Sequence, residues 1–238
     1  MSRTLIIGHS HVECVKKAIQ ATHCDQVSAI NIRRISNSDS PQLIIKEIRK
    51  TVKDLTPDSI CLCIGGNEHN ILTIMEHPIP FSVGDRESGQ LPTVKDKDRW
   101  FIPYHVMLDN MRHKVNRHLP LATAIYEEFP GSARFHFPPP PPIANWEHIK
   151  NNPGMFGEKL HLGGGNNEIK RAVYEIQLNA FDELYQGLSA KRIYIPQTLT
   201  SEDGFLLEEY YSDNPTHGNK AYGSVMLEAI VKQTKEIK

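Results

Sequence analysis

Four kinds of feature are scarce in this 238-residue chain, and each scarcity removes a class of function. No apolar stretch reaches the ~18 residues of a membrane-spanning helix. The run Leu5–Ile7 near the start meets Gly8 and His9 too soon for the apolar region of a signal peptide. Charge is balanced, with 27 Lys and Arg against 28 Asp and Glu, and no run of like charge stands out. That leaves no electrostatic footprint for nucleic acid. Cysteine is limited to Cys14, Cys24, Cys61 and Cys63, in neither CxxC nor zinc-quartet spacing. They read as free thiols in a reducing cytoplasm, Cys61 and Cys63 lying two apart on one face of a strand. The glycine run Gly163–Gly165 lacks the Gly-Lys-Ser/Thr continuation of a phosphate-cradling loop, so it reads as a hinge.

What is present is an alternation of short apolar runs and amphipathic stretches. Leu5–Ile7, Val27–Ile32 and Ser59–Ile64 read as strands, and helical patterns follow from Val12 and from Pro41. Nearly continuous apolar strands suit a parallel sheet covered on both faces. Further strands are expected at Ala133–Phe137 and Arg192–Ile195, with helices at about 104–118, from Asn166 or Asn167 to about Leu188, and from about Lys220 to Ile237. The expected fold is α/β: a three-layer α/β/α arrangement around a mostly parallel, five-stranded, doubly wound sheet of flavodoxin-like order. The chain reads as a single domain over 1–238. Loop insertions are expected at about 70–101, near the site or as a lid, and at about 143–165. Pro138–Pro142 must be extended, as a stiff spacer in preference to a ligand for an SH3-like module, or as one wall of a pocket. Trp100, Phe101, Trp146 and Phe156 in the insertions read as loop anchors rather than sugar platforms.

Three polar clusters stand at element boundaries: Gly8-His9-Ser10, Gly65-Gly66-Asn67, and Asp213-Asn-Pro-Thr-His217. A doubly wound sheet brings such boundaries to one edge. Together they offer a hydroxyl, an amide and an imidazole, the groups that acyl transfer requires. Ser10 alone also suits an ordinary helix N-cap, and Asp213 a turn-forming residue. His9, His11, His69 and His217 all fall near that edge, without the carboxylate or thiolate spacing of a metal site. His9, His11, Glu68 and His69 are therefore candidate substrate contacts, and neither a metal nor a cofactor is expected.

These clusters resemble three of the four sequence blocks of the SGNH (GDSL-like) hydrolases, spread from one end of the chain to the other. Gly8-His9-Ser10 stands where that family usually has Gly-Asp-Ser, Gly65-Gly66-Asn67-Glu68 resembles Gly-x-Asn-Asp, and His217 with Asn219 resembles the last block. The resemblance implies Ser10 as nucleophile and His217 as general base. It implies an oxyanion site of the Ser10 backbone N–H and the Asn67 side chain. Two departures stand out. The segment Ile32–Ser38 has no glycine where the second block supplies an N–H, leaving Arg34, Ser36 or Asn37 as backbone candidates. The position three before His217 holds Asn214, with Asp213 four before; Asp213 is expected to orient the imidazole, Asn214 or a backbone carbonyl being the alternatives. The implied activity is hydrolysis of a small-molecule or carbohydrate ester through an acyl-enzyme. An O-acyltransferase with the same machinery, or a non-catalytic carbohydrate- or partner-binding relative, are the other readings.

Overall fold

The computed structural model describes residues 3–53, 55–84, 92–95 and 97–235. The chain begins with β1 (Thr4–Gly8), α1 (Val12–Thr22) and β2 (Val27–Asn31), then a one-turn helix α2 (Ile32–Ile35) and α3 (Pro41–Val52). β3 (Ser59–Cys63) leads into the short α4 (Glu68–Thr73). β4 (Phe81–Val83) and β5 (Trp100–Ile102) pair in parallel as a separate two-stranded sheet. Next come α5 (Tyr104–Asn116), α6 (Leu119–Glu128), β6 (Ala133–His136), α7 (Trp146–Asn151) and a 3-10 stretch, Gly154–Leu162. The long α8 (Asn167–Gly187) precedes β7 (Lys191–Arg192), and the hairpin of β8 (Tyr211–Ser212) and β9 (Asn214–Gly218) delivers α9 (Lys220–Lys235).

The central sheet has the order β2-β1-β3-β6-β7, and all of its pairings are parallel. This is the expected five-stranded, doubly wound, flavodoxin-like sheet. Side-chain alternation splits the core into two layers. Leu5, Ile7, Ile60 and Leu62 face Ile44 and Ile48 of α3, Met107 and Met111 of α5, Ile125 of α6, and Val173 and Phe181 of α8. Ile6, Cys61, Cys63 and Phe135 face Val15 and Ala18 of α1 and Met226 and Ile230 of α9. Cys61 and Cys63 thus share one face, as their spacing predicts, and all four cysteines are unpaired. No helix among the described residues is long and apolar enough to cross a membrane.

The chain order reverses between β1 and β3. A crevice opens there beyond the carboxyl ends of the strands, which is where open α/β sheets bind ligands. The insertions close in beside it. Glu76 N–H donates to Gly163 O at 3.0 Å, Gly165 N–H donates to Ile74 O at 3.2 Å, and Met75 pairs with Gly164. A Cβ on Gly165 would lie 1.9 Å from Thr73 O, and one on Gly164 would lie 2.7 Å from the Trp146 ring. The run is a close-packed seam at Gly164 and Gly165, not a hinge: backbone and indole press against those two, while Gly163 supplies a φ of 77°. Pro138–Pro142 is buried throughout, with Tyr174 Oη donating to Pro139 O at 2.9 Å. The segment therefore acts as an internal wall. Trp146 and Phe156 pack inward as anchors, whereas Trp100 and Phe101 on the small sheet are exposed. Residues 85–91 of the first insertion lie outside the described residues, as do 236–238 at the expected end of the last helix.

Candidate active site

β1 ends on Gly8, where a side chain would have no room: a Cβ would lie 2.2 Å from Cys63 O of the neighbouring strand. The chain turns through His9 and Ser10, with Val12 N–H donating to His9 O and Glu13 N–H to Ser10 O. The N-cap of α1 is His11, with no side-chain cap bond. Ser10 is therefore not capping the helix, and its hydroxyl makes no hydrogen bond among the described residues. It lines a cleft of about 660 Å³ together with His9, His11, Asn67, Arg117 and His118.

Beyond β3 the backbone turns sharply, with φ of 83° at Gly65 and 118° at Gly66, a region that disfavours any residue with a Cβ. Gly65 N–H donates to His9 Nδ1 at 3.0 Å, and Gly66 N–H donates to Glu68 Oε2 at 2.8 Å. Asn67 Oδ1 accepts from Asn70 Nδ2 at 3.3 Å, which leaves the Asn67 Nδ2 donor without a partner among the described residues. Glu68, 2% exposed, also accepts from Arg117 Nη2 at 2.9 Å and lies 3.1 Å from His118 Nε2. Burial pushes this carboxyl upward. The His118 contact and the N–H groups of Glu68 and Gly66 outweigh it and hold the pKa down at about 2.

Two of the four expected substrate contacts behave otherwise. His69 is fully buried and does not line the cleft. Its N–H donates to Gln177 Oε1 at 2.7 Å, and its ring sits on Tyr174. Burial brings its pKa down to about 4. It is a core residue because α4 turns inward against α8. Glu68 reaches the cleft wall but spends its oxygens on Gly66, Arg117 and His118, so it braces the loop. His9 and His11 do line the cleft.

His217 sits on β9 with its ring stacked on that of His11, centroids 4.5 Å apart. Its Nδ1 lies 2.7 Å from Asn214 Oδ1. That oxygen also accepts from the Thr216 N–H at 3.0 Å. A backbone N–H can only donate, so the amide is pinned with its oxygen toward the ring. Nδ1 must then carry the proton, and Nε2 keeps its lone pair. Asp213 is exposed, and the groups at Nδ1 are Asn214 Oδ1 and, at 2.9 Å, the Thr216 hydroxyl, which itself donates to Asn214 Oδ1; the expectation of an Asp213 partner is corrected. In a β-strand neighbouring side chains point to opposite faces, and the bulged β8–β9 hairpin turns that of Asn214 back onto the imidazole. Burial lowers the His217 pKa below its ordinary value. Burial, followed by the neighbouring His217 and His69, lowers that of His11 well below. Both rings are neutral at pH 7. His217 Nε2 is buried without a partner, so no hydrogen bond joins it to Ser10; the two residues are linked through His11, chain neighbour of one and stacking partner of the other.

Of the backbone groups considered for the missing second-block donor, Ser36 N–H is committed to Ile32 O at 2.9 Å, and neither Arg34, Ser36 nor Asn37 lines the cleft. That side is formed by Ile32, Arg33, Asp39 and Pro41. Arg117, His118 and Gln177 escape sequence reasoning: each lies about 50 residues or more from its loop partner, and nothing local marks them.

No protein-family model matches the sequence, and no curated protein matches it significantly. Solved structures do match in three dimensions. A protein from Streptococcus pneumonia, provisionally named a platelet activating factor, aligns over 98% of this chain and 84% of its own at 15% identity and a TM-score of 0.51. The periplasmic domain of a lipopolysaccharide acetyltransferase from Salmonella ser. Paratyphi A aligns over 100% and 85% at 14% identity and a TM-score of 0.50. A GDSL-like lipase from Bacteroides thetaiotaomicron aligns over 100% and 89% at 13% identity and a TM-score of 0.47. The fold is shared with the two structures matched at a TM-score of 0.50 or above. Likeness at this identity speaks to architecture; chemistry has to be argued from the residues.

Proposed function

We propose that this SGNH-fold chain is a serine-dependent hydrolase of carboxylic esters on a small molecule or carbohydrate. Ser10 Oγ attacks the ester carbonyl as its proton passes to His217 Nε2. The imidazolium keeps its Nδ1–H on Asn214 Oδ1. The oxyanion is met by the Ser10 N–H and Asn67 Nδ2, and its collapse breaks the bond to the alcohol, which leaves with the proton from Nε2. Water, deprotonated by the same nitrogen, then releases the acid from Ser10. The observation that carries this reading is the pinned Asn214 amide, which gives His217 the one tautomer able to act as base toward a hydroxyl. Four unpaired cysteines fit a cytoplasmic setting.

The acyl-enzyme can also be discharged to an alcohol, and the acetyltransferase activity named for the Salmonella domain favours testing that route. The experiment is turnover of a small chromogenic acetyl ester by the wild-type chain and by Ser10→Ala, with and without sugar acceptors. The proposal expects hydrolysis that falls to background in the variant. Equal rates in the two proteins overturn it, and acyl transfer exceeding hydrolysis moves the assignment to a transferase.

A further inference from the structure

A developing oxyanion is stabilised by donors already aimed at it, so the free N–H groups around the cleft can be counted. Gly65 N–H is spent on His9 and Gly66 N–H on Glu68. Arg33 N–H is held by Asn31 Oδ1 at 3.0 Å, and Ser36 N–H by Ile32 O. His11 also lines the cleft, but both of its unpartnered ring nitrogens are buried. His9 differs. Its Nδ1 accepts the Gly65 N–H, and a nitrogen that accepts a backbone N–H carries no proton. The neutral ring must then hold its proton on Nε2, and that N–H has no partner among the described residues. The ring lines the cleft one residue before Ser10, braced edge-on against His118 with centroids 5.9 Å apart.

We infer that His9 is a catalytic hydrogen-bond donor: its Nε2–H stands in for the backbone N–H that the segment after β2 does not supply, and it binds the carbonyl oxygen of the ester as negative charge builds there. No proton is transferred; the imidazole stays neutral and the oxyanion accepts a hydrogen bond. Burial, then the neighbouring His118 and Arg33 with Arg117 behind, outweighs Glu68 and brings the His9 pKa down to about 4, so the ring remains a neutral donor at pH 7. The Gly65–His9 bond fixes the ring plane, so the donor is preorganised by the same turn that positions Asn67.

The inference rests on Ser10 being the nucleophile, and the test separates the two. A fluorophosphonate forms a bond to Ser10 and places its phosphoryl oxygen where the ester oxygen would lie. Its rate of attachment to the wild-type chain is compared with those of His9→Phe, which keeps a ring without donors, and His9→Gln, which keeps an acceptor for Gly65 and a donor. The expected result is a loss of about 100-fold in His9→Phe, with His9→Gln within about tenfold of wild type. Ester turnover should fall in kcat with KM nearly unchanged. Wild-type labelling with His9→Phe equally fast overturns the His9 assignment alone. Absence of wild-type labelling overturns the nucleophile. Should His9→Phe unfold, nitrogen-15 NMR of the wild-type imidazole decides: a neutral ring protonated at Nε2 at pH 7 supports the inference, and protonation at Nδ1 or at both nitrogens refutes it.

Discussion

At His217 the group facing Nδ1 is an amide oxygen, and an amide holds an imidazolium less firmly than a carboxylate does. The ring is also partly desolvated, so its pKa lies below the ordinary value. Since the base must be unprotonated, activity is lost as pH falls through that lowered pKa. The acid limb of kcat/KM should therefore sit below about 6.5. Asn214→Asp adds a negative charge beside the ring and favours the imidazolium, so the limb should move to higher pH. A pH–rate profile of the two proteins checks the direction. Asn214→Ala removes a bond to a group that becomes charged, worth about 1.5–3 kcal/mol, and should lower kcat/KM by about 10- to 100-fold without changing the fold. The alternative partner was visible in the sequence, because Asn214 occupies the position three before the histidine. The choice between it and Asp213 was not, because it depends on a register shift that leaves the extra residues of β9 unpaired between Asn214 and Gly218.

Elements set the site through contacts that tolerate little change. α9 follows β9 directly and packs on α1, which follows Ser10, so this one helix pair ties the two ends of the proposed machinery together. The contact is close: a Cβ on Gly223 would lie 2.1 Å from Cys14 O. Ala is favoured over Gly by about 1 kcal/mol in a helix interior, but overpacking costs about 1–3 kcal/mol, and backbone cannot rotate aside. Gly223→Ala should therefore lower the unfolding free energy, measured by urea titration, and should slow ester turnover as His217 shifts. A stabilised variant would show that the helices separate more easily than this packing allows. At this scale the regular elements were legible. α8 buries Ile169, Val173, Ile176, Ala180, Phe181 and Leu184 in the anticipated stripe and takes its cap from Asn166. α6 and the pair β4–β5 were not legible. Proline-bounded segments this short carry too few periods to read, and the strands pair across residues far apart in sequence. The glycine run misled because glycine marks close approach as often as freedom.

Across the whole molecule the notable economy is in imidazoles kept neutral. His9 and His69 are brought to about 4 and His136 to about 3, chiefly by burial in each case. An unfolded chain protonates the same rings near 6.5. Between about pH 6.5 and 4 the unfolded state thus binds more protons, and each ring removes up to about 1.4 kcal/mol of stability per pH unit as pH falls. Denaturant titrations at pH 7.5 and 5 should differ strongly in the direction of acid instability, and a flat response would mean that these rings are solvated. Only the architecture of the site follows from strand order. Its chemistry depends on which ring nitrogens of several adjacent histidines reach the cleft, and one-residue differences in a turn decide that: His9 and His11 flank Ser10 and both line the cleft, yet His11 keeps both ring nitrogens buried and His9 does not.

The most direct measurement is the mass of the intact chain, with peptide mapping, after exposure to a fluorophosphonate. The account predicts one phosphonyl group on Ser10, absent from Ser10→Ala and slow to form in His217→Ala. An unmodified wild-type chain, or a label carried equally by Ser10→Ala, would contradict it.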